Sequence, residues 1–129
     1  MGEIITFYAE TDGSNTTGDF TLDSDVLHST VSYIRPDKGY KLKIWAWRVA
    51  GAPVTVLINY TNDVTVGSPT WKTIGAIHLS SEGIEEMEKR KPVIVLSKTG
   101  KEAVKFSWSQ SAAGVSRVGF EVEFSFDES

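Results

Sequence analysis

The sequence predicts an all-β protein: an antiparallel, jelly-roll-like β-sandwich of about eight strands. The clearest signal lies near the C-terminus, where large apolar residues occupy every second position in 104–108 and again in 118–126. Successive side chains of a strand point to opposite faces, so each segment is expected to bury one face and expose the other. Further segments of this kind recur at intervals of roughly ten residues without a βαβ pattern, which favours a sandwich, with a barrel as second choice.

The remaining strands are predicted from apolar and β-branched runs that are bounded by turn residues. The strands at 40–49 and 54–61 are predicted to pair as a hairpin across 48–53, and Gly75 is expected to mark a bulge in a later strand. In chain order these further strands are expected at 3–9, 19–22, 26–34, 40–49, 54–61, 70–79 and 92–96.

The segment 80–90 is the one candidate for a short helix or helical turn. Ser80 or Ser81 can cap its start, and Ile84 and Met87 are spaced to share one face. Gly83 disfavours a helix.

Length and composition limit the class of protein. The 129 residues suit a single domain, 1–129. The chain has no cysteine, which excludes disulfides, thiolate metal sites and cysteine nucleophiles. No secretory leader and no stretch of membrane-spanning length is visible. We therefore expect a protein that is made in the cytoplasm without a signal peptide and has no membrane contact.

Metal and cofactor sites find little support in the sequence. His28 and His78 are the only histidines, and neither has a second histidine at the spacing of a zinc site. The acidic loops offer oxygen ligands of the kind that Ca²⁺ prefers, but Asx turns explain the same residues. We expect no metal and no cofactor. The loop residues concerned are Asp12, Asn15, Asp19, Asp23 and Asp25.

Catalytic motifs are equally scarce. The sequence contains no Gly-x-Ser-x-Gly nucleophile elbow. Glu121 and Glu123 stand two apart on the polar face of one strand, at a spacing that glycosidase carboxylates can have. Alternating glutamates are also ordinary on a solvated sheet, so we expect no catalytic residue and no enzyme.

The segment 41–48 holds the main candidates for binding a partner. Leu42, Ile44 and Ala46 share one face of the predicted strand, and the opposite face includes Trp45 and Trp47. Because large aromatics are mostly buried, we favour the tryptophan face as the core. The alternative is an aromatic platform for a sugar ring or a neighbouring subunit. The candidate partner-binding residues are Trp45, Trp47, Lys41, Lys43, Arg48 and Trp71.

Charge is unevenly distributed along the chain. The formal net charge is −4, which argues against nucleic acid as a partner despite the basic and aromatic residues of 41–48. Residues 1–25 contain six acids and no base, whereas 35–48 contain five bases and one acid. These segments can meet within one fold or between copies of the chain.

We therefore expect a non-enzymatic structural or assembly protein. Its predicted partner is itself, preferably as a trimer, or a larger protein assembly such as a virus shell, of which it would be a decoration or accessory protein.

The alternative is a carbohydrate-binding module. Residues 59–63, 70–75 and 106–108 resemble jelly-roll sugar-binding or discoidin-type domains, and the similarity extends over about a third of the chain. This resemblance implies that a glycan is a candidate ligand for a tryptophan platform.

Overall fold

A computed structural model describes residues 3–24, 29–35, 40–79, 83–86, 93–95 and 101–126. Within these ranges the chain forms strands and no helix. In chain order the strands are β1 (Glu3–Glu10), β2 (Thr17–Asp19), β3 (Leu22–Ser24), β4 (Ser29–Val31), β5 (Tyr40–Gly51), β6 (Val54–Thr61), β7 (Lys72–Leu79), β8 (Gly83–Glu86), β9 (Val93–Val95), β10 (Ala103–Ser109) and β11 (Ser116–Phe126).

The strands form two antiparallel sheets, and the predicted β-sandwich is confirmed. The seven-stranded sheet has the order β4-β3-β1-β11-β5-β8, and β9 pairs with β5 beside β8. The four-stranded sheet has the order β2-β10-β6-β7. The jelly-roll form of the connections stays a prediction.

The core lies between the two sheets and follows the alternation of apolar residues. Leu42, Ile44 and Ala46 of β5 are fully buried. Phe106 of β10 and Phe120 of β11 stack across the interior, with ring centroids 4.6 Å apart. Burying each large apolar side chain contributes about 1.5–3 kcal/mol, so this interior is the main source of stability.

The two C-terminal strands behave as their sequences predict, but they lie in different sheets. β10 buries Val104, Phe106 and Trp108, and β11 buries Val118 and Phe120. β10 pairs with β2 and β6 in the four-stranded sheet, whereas β11 pairs with β1 and β5 in the seven-stranded sheet. Each strand therefore supplies one wall of the core.

The predicted helix at 80–90 is wrong in the part that the structure describes. Residues 83–86 form β8, which pairs antiparallel with β5 and places Ile84 opposite Trp47. The other positions of this segment lie outside the described residues. A single helical turn is costly to nucleate, whereas the edge of β5 offers backbone hydrogen-bond partners. The described segments contain no helix that is long and apolar enough to cross a membrane.

The predicted hairpin of 40–49 with 54–61 is also wrong, because β5 and β6 belong to different sheets. Gly51 has a φ of 97°, a backbone conformation that favours glycine. The next amide, that of Ala52, donates a hydrogen bond to the carbonyl of Val115 at 3.2 Å. The chain thus crosses from one sheet to the other at 51–53 instead of turning back on β5.

The bulge expected at Gly75 is found in β7, but its extra residue is the preceding one, Ile74. In the pairing of β6 with β7, Ile58 lies opposite Gly75 and Asn59 lies opposite Thr73, so Ile74 is the extra residue.

Two short segments cross between the sheets and bound a cleft that is described below. The strand predicted at 19–22 is instead divided: β2 lies in the four-stranded sheet and β3 in the seven-stranded sheet, with Phe20 and Thr21 between them. Of the strand predicted at 26–34, the described part contains β4, after which Ile34 forms a bridge with Val104 of β10. Residues 20–21 and 32–33 therefore lie where the chain changes sheets.

Candidate functional site

The outer face of the seven-stranded sheet brings Trp45 and Trp47 beside residues of two neighbouring strands. The side chains of Trp45 and Trp47 are half-buried. Three adjacent strands, β1, β11 and β5, supply this surface in matched rows. From β1 to β5 the two central rows are Tyr8–Gly119–Trp47 and Thr6–Glu121–Trp45. We call this surface the aromatic face.

The indole of Trp47 lies over Gly119. A Cβ atom on Gly119 would lie 2.4 Å from two carbon atoms of the indole, well inside van der Waals contact. Tyr8 meets Trp47 edge-on, with ring centroids 6.2 Å apart and ring planes at 86°. The missing side chain at position 119 therefore lets the indole lie along the sheet.

Charged groups flank these rings on both sides. The Lys43 ammonium lies 4.8 Å from the centre of the Trp45 ring, and the Arg117 guanidinium lies 5.1 Å from the centre of the Tyr8 ring. Arg117 also approaches Glu10, with 3.4 Å between Nη1 and Oε1. Aromatic residues and arginine are enriched in protein interfaces, and this surface contains both.

The preference for the tryptophan face of β5 as the core is wrong. Leu42, Ile44 and Ala46 on the other face are completely buried. These smaller side chains fit between the sheets, where Phe106 and Phe120 already supply stacked rings. The absence of a side chain at Gly119 gives Trp47 space on the outer surface instead.

The three basic candidates of 41–48 do not form one group. Lys43 lies on the aromatic face, whereas the side chain of Lys41 lies outside the described residues. Arg48 pairs with the buried Val118 and so belongs to the inner side of β5. Its Nε and Nη1 are buried and find no hydrogen-bond partner among the described residues.

Trp71 is not part of the aromatic face. It immediately precedes β7 of the four-stranded sheet. The Lys105 ammonium lies 4.7 Å from the centre of the Trp71 ring. Tyr33 is 6.2 Å from Trp71 between ring centroids, with the ring planes at 43°. Together with Asp19 and the loop 64–69, these residues line a cleft of about 440 Å³. We call it the Trp71 cleft.

A line of hydrogen bonds crosses the outer face of the four-stranded sheet and ends at this cleft. The Thr73 hydroxyl donates to Asn59 Oδ1 at 2.7 Å, and Asn59 Nδ2 donates to Ser107 Oγ at 2.9 Å. The Ser107 hydroxyl then donates to Asp19 Oδ1 at 2.7 Å. The Lys105 ammonium donates to the other carboxylate oxygen of Asp19 at 3.1 Å. We call these four bonds the polar line; they fix Asp19 from two sides.

The surroundings of Asp19 act on its pKa in opposite directions. Partial burial raises the pKa of this carboxyl, but the hydrogen bonds from Ser107 and Lys105 and the charge of Lys105 lower it more. The net effect holds the pKa of Asp19 below its usual value of 3.8. The carboxylate is therefore ionised and accepts hydrogen bonds at neutral pH.

The acids of the first loops lie apart. Asp12 accepts hydrogen bonds at 2.9 Å from the amides of Ser14 and Asn15, which is an Asx turn. Bonds from Asn15 and Ser14 also hold the pKa of Asp12 below its usual value. Asp23 lies opposite Tyr8, and Asp25 is outside the described residues. In the described part of the chain, no three His, Asp or Glu side chains converge as a metal-binding group.

The other polar candidates occupy separate surfaces. His78 lies on β7, where its Nδ1 is 3.0 Å from the Thr55 hydroxyl. His28 falls outside the described residues. Glu121 and Glu123 are half-buried on the aromatic face, in register with Trp45 and Lys43 respectively.

Several residues of these surfaces have no signal in the sequence. Gly119 is one of eleven glycines, and its role depends on Trp47 being opposite it. Tyr33 contacts Trp71, and Asp19 contacts Lys105, close to the places where the chain crosses between the sheets. The alternation of apolar residues does not predict such crossings. Of the residues that line the cleft, Trp71 was a candidate from the sequence.

Comparison with known proteins does not assign a function. No protein-family model, curated protein or solved structure matches this chain.

Proposed function

We propose that this chain is a non-enzymatic structural or assembly protein that associates with further copies of itself through the aromatic face. The observation that carries this proposal is the position of Trp47. Its indole lies along the outer side of the sheet over Gly119 and against Tyr8. Trp and Tyr in this position supply large contact area with few rotatable bonds, as interface hot spots do.

The charges on the aromatic face support a second copy of the chain as the partner. Glu10 and Asp23, from the acidic segment 1–25, lie on the β1 and β3 side of the face. Lys43 lies on the β5 side, beside Trp45. A surface that carries both signs can be complementary to itself, as a symmetric interface requires.

The larger assembly expected from the sequence, for which a virus shell is the example, stays a prediction, and so does the preference for a trimer. A trimer requires self-association, whereas docking on a larger assembly is the alternative to it, so self-association is the step to test first.

Sedimentation velocity of the full chain over a concentration series tests the proposal. We expect a species heavier than the 14.2 kDa monomer, and weaker association at high salt because the charges on the face are screened. Trp47→Ala and Trp45→Ala are expected to shift the equilibrium toward monomer by about tenfold or more each.

Trp71→Ala is the matched control, because Trp71 is also half-buried but lies beside the other sheet. It should leave the association unchanged. A monomer at all concentrations, or equal effects of Trp47→Ala and Trp71→Ala, would contradict the proposal.

A further inference from the structure

The Trp71 cleft has the size and lining of a small-molecule site. Its volume of about 440 Å³ falls within the roughly 300–1,000 Å³ that is usual for ligand pockets. Val64, Val66 and Pro69 form an apolar wall, and Trp71 and Tyr33 add two aromatic rings. The exposed fraction of Val66 is 49%, so apolar surface is available in the cleft of the free chain.

Hydrogen bonds fix the start of the loop that forms this wall. The Val64 amide donates to the carbonyl of Lys101 at 2.8 Å, and the Thr65 amide donates to Asp63 Oδ1 at 2.9 Å. Asn59 and Thr61 belong to the outer-facing set of β6, yet only 7% and 1% of their surfaces are exposed. The wall of the cleft is therefore preformed, which reduces the entropy cost of binding.

The polar groups of the cleft are also preformed. Asp19 is fixed by the Ser107 hydroxyl and the Lys105 ammonium, and each donor along the polar line points toward this carboxylate. Hydrogen bonds in such a chain polarise one another, which strengthens the bonds that hold Asp19 in place. Asp19 keeps further lone pairs for a ligand, because an ionised carboxylate has about four acceptor positions.

The charge of the cleft selects the class of ligand. Lys105 and Asp19 neutralise each other at 3.1 Å, so neither an anion nor a cation meets an uncompensated charge. A hydroxyl group can donate to Asp19 and also accept from Lys105. The Lys105 ammonium lies over the Trp71 ring, so the electropositive C–H groups of a sugar ring would contact Tyr33 and the part of the indole that Lys105 leaves open. Neutral sugars present adjacent hydroxyls together with such C–H groups.

We propose that the Trp71 cleft binds a neutral carbohydrate, with a sugar ring against Trp71 and Tyr33 and its hydroxyls shared between Asp19 and Lys105. This site does not depend on the proposed self-association, because none of the residues that line it belongs to the rows of the aromatic face. It places the ligand away from Trp45 and Trp47.

A glycan array probed with the fluorescently labelled full chain tests this inference, followed by calorimetry with the strongest neutral oligosaccharide. We expect binding to at least one neutral glycan and little to acidic ones. Trp71→Ala and Tyr33→Ala should each weaken the calorimetric affinity about tenfold or more. Asp19→Asn, which keeps the shape of the side chain, should weaken it several-fold.

Trp45→Ala is the matched control for these variants and should bind the same oligosaccharide as the wild type does. Tyr33 and Asp19 are exposed side chains, so their variants keep the inference testable if Trp71→Ala disturbs the loop. If no neutral glycan is bound above background on the array, the inference is overturned. Equal weakening by Trp45→Ala and Tyr33→Ala, or a preference for acidic glycans, would overturn it as well.

Discussion

Each sheet of this sandwich contains a glycine paired across strands with a tryptophan, one pair inside the protein and one outside. In the core, Gly18 lies beneath Trp108, and a Cβ there would come within 2.4 Å of the indole. On the aromatic face, Gly119 has the same relation to Trp47. Trp108 is 5% exposed, so its position fills the interior. Trp47 lies on the outer face of its sheet, where the proposed self-association would cover it.

The two outer surfaces differ in how their polar groups are arranged. On the aromatic face, the described side chains form separate contacts, such as Arg117 with Glu10 and Lys43 with Trp45. On the four-stranded sheet, they form the polar line, which ends at Asp19 in the Trp71 cleft. The first arrangement suits a broad partner surface, and the second suits a small ligand that reads fixed donors and acceptors.

The largest expected effect on the free energy of unfolding comes from replacing the glycine of each glycine–tryptophan pair by alanine. Gly18→Ala should lower the free energy of unfolding by about 2 kcal/mol, because Trp108 is enclosed and must shift against the core. Gly119→Ala should cost less than about 1 kcal/mol, since Trp47 can move into solvent. Denaturant unfolding at a concentration where the chain is monomeric measures both.

Gly67→Ala is the control for these two variants, because a Cβ at position 67 meets nothing within 4 Å. Gly119→Ala should also weaken self-association, which Gly67→Ala should not. Equal losses of stability at positions 18 and 119 would contradict the distinction between the inner and outer pairs.

The next effect concerns the polar line. Asn59→Ala removes bonds to Thr73 and Ser107, and Asn59 is only 7% exposed. We expect a loss of about 1–2 kcal/mol of unfolding free energy, because two partners lose their hydrogen bonds. Glu121→Ala on the aromatic face should change it by less than about 0.5 kcal/mol. Similar losses for both variants would show that the two outer surfaces are not organised differently.

A smaller effect on stability is expected at alkaline pH, where Tyr60 of β6 ionises. Burial and then the hydrogen bond from the Tyr60 hydroxyl to Glu102 raise the pKa of Tyr60 to about 12. A raised folded pKa means that Tyr60 contributes stability fully below its ordinary pKa of 10.0. This contribution should be lost as the pH rises from 10 toward 12.

Ultraviolet titration of phenolate absorbance checks this expectation, and Tyr60→Phe should remove the step near pH 12 from the curve. If the step near pH 12 persists in Tyr60→Phe, its assignment to Tyr60 is incorrect.

The smallest effect is expected at acidic pH. Because the folded pKa of Asp19 lies below 3.8, its carboxylate stabilises the fold above pH 3.8 and loses this contribution as the pH falls through the folded pKa. Asp19→Asn should therefore flatten the acid side of the stability curve slightly. Asp12 and Asp63 also have lowered pKa values, so part of the acid dependence should remain. An unchanged curve would contradict this role of Asp19.

Alternation along the chain predicted the strands well, because it records which side chains are buried. The segment 54–61 coincides with β6, and the apolar positions of β10 and β11 all turn inward where their side chains are described. Alternation does not record which strand lies alongside. The hairpin across 48–53 was wrong because Gly51 and Ala52 carry the chain to the other sheet.

The candidate surfaces were harder to predict because they join distant parts of the chain. The preference for burying large aromatics failed at β5, since the position of Trp47 depends on Gly119, a residue more than seventy positions later. Trp71 was identified, but Asp19 and Lys105, which meet it in the cleft, are 86 positions apart. Local patterns contain no information about such pairs.

The central claim, that self-association covers the aromatic face, can be tested with single cysteines in this cysteine-free chain. Thr6 lies in the row with Glu121 and Trp45, and Thr17 lies on β2 of the other sheet. We expect thiol labelling of Thr6→Cys to slow as the protein concentration rises, while labelling of Thr17→Cys keeps a constant rate. Labelling of Thr6→Cys that is independent of concentration, in a sample shown to associate, would contradict the account.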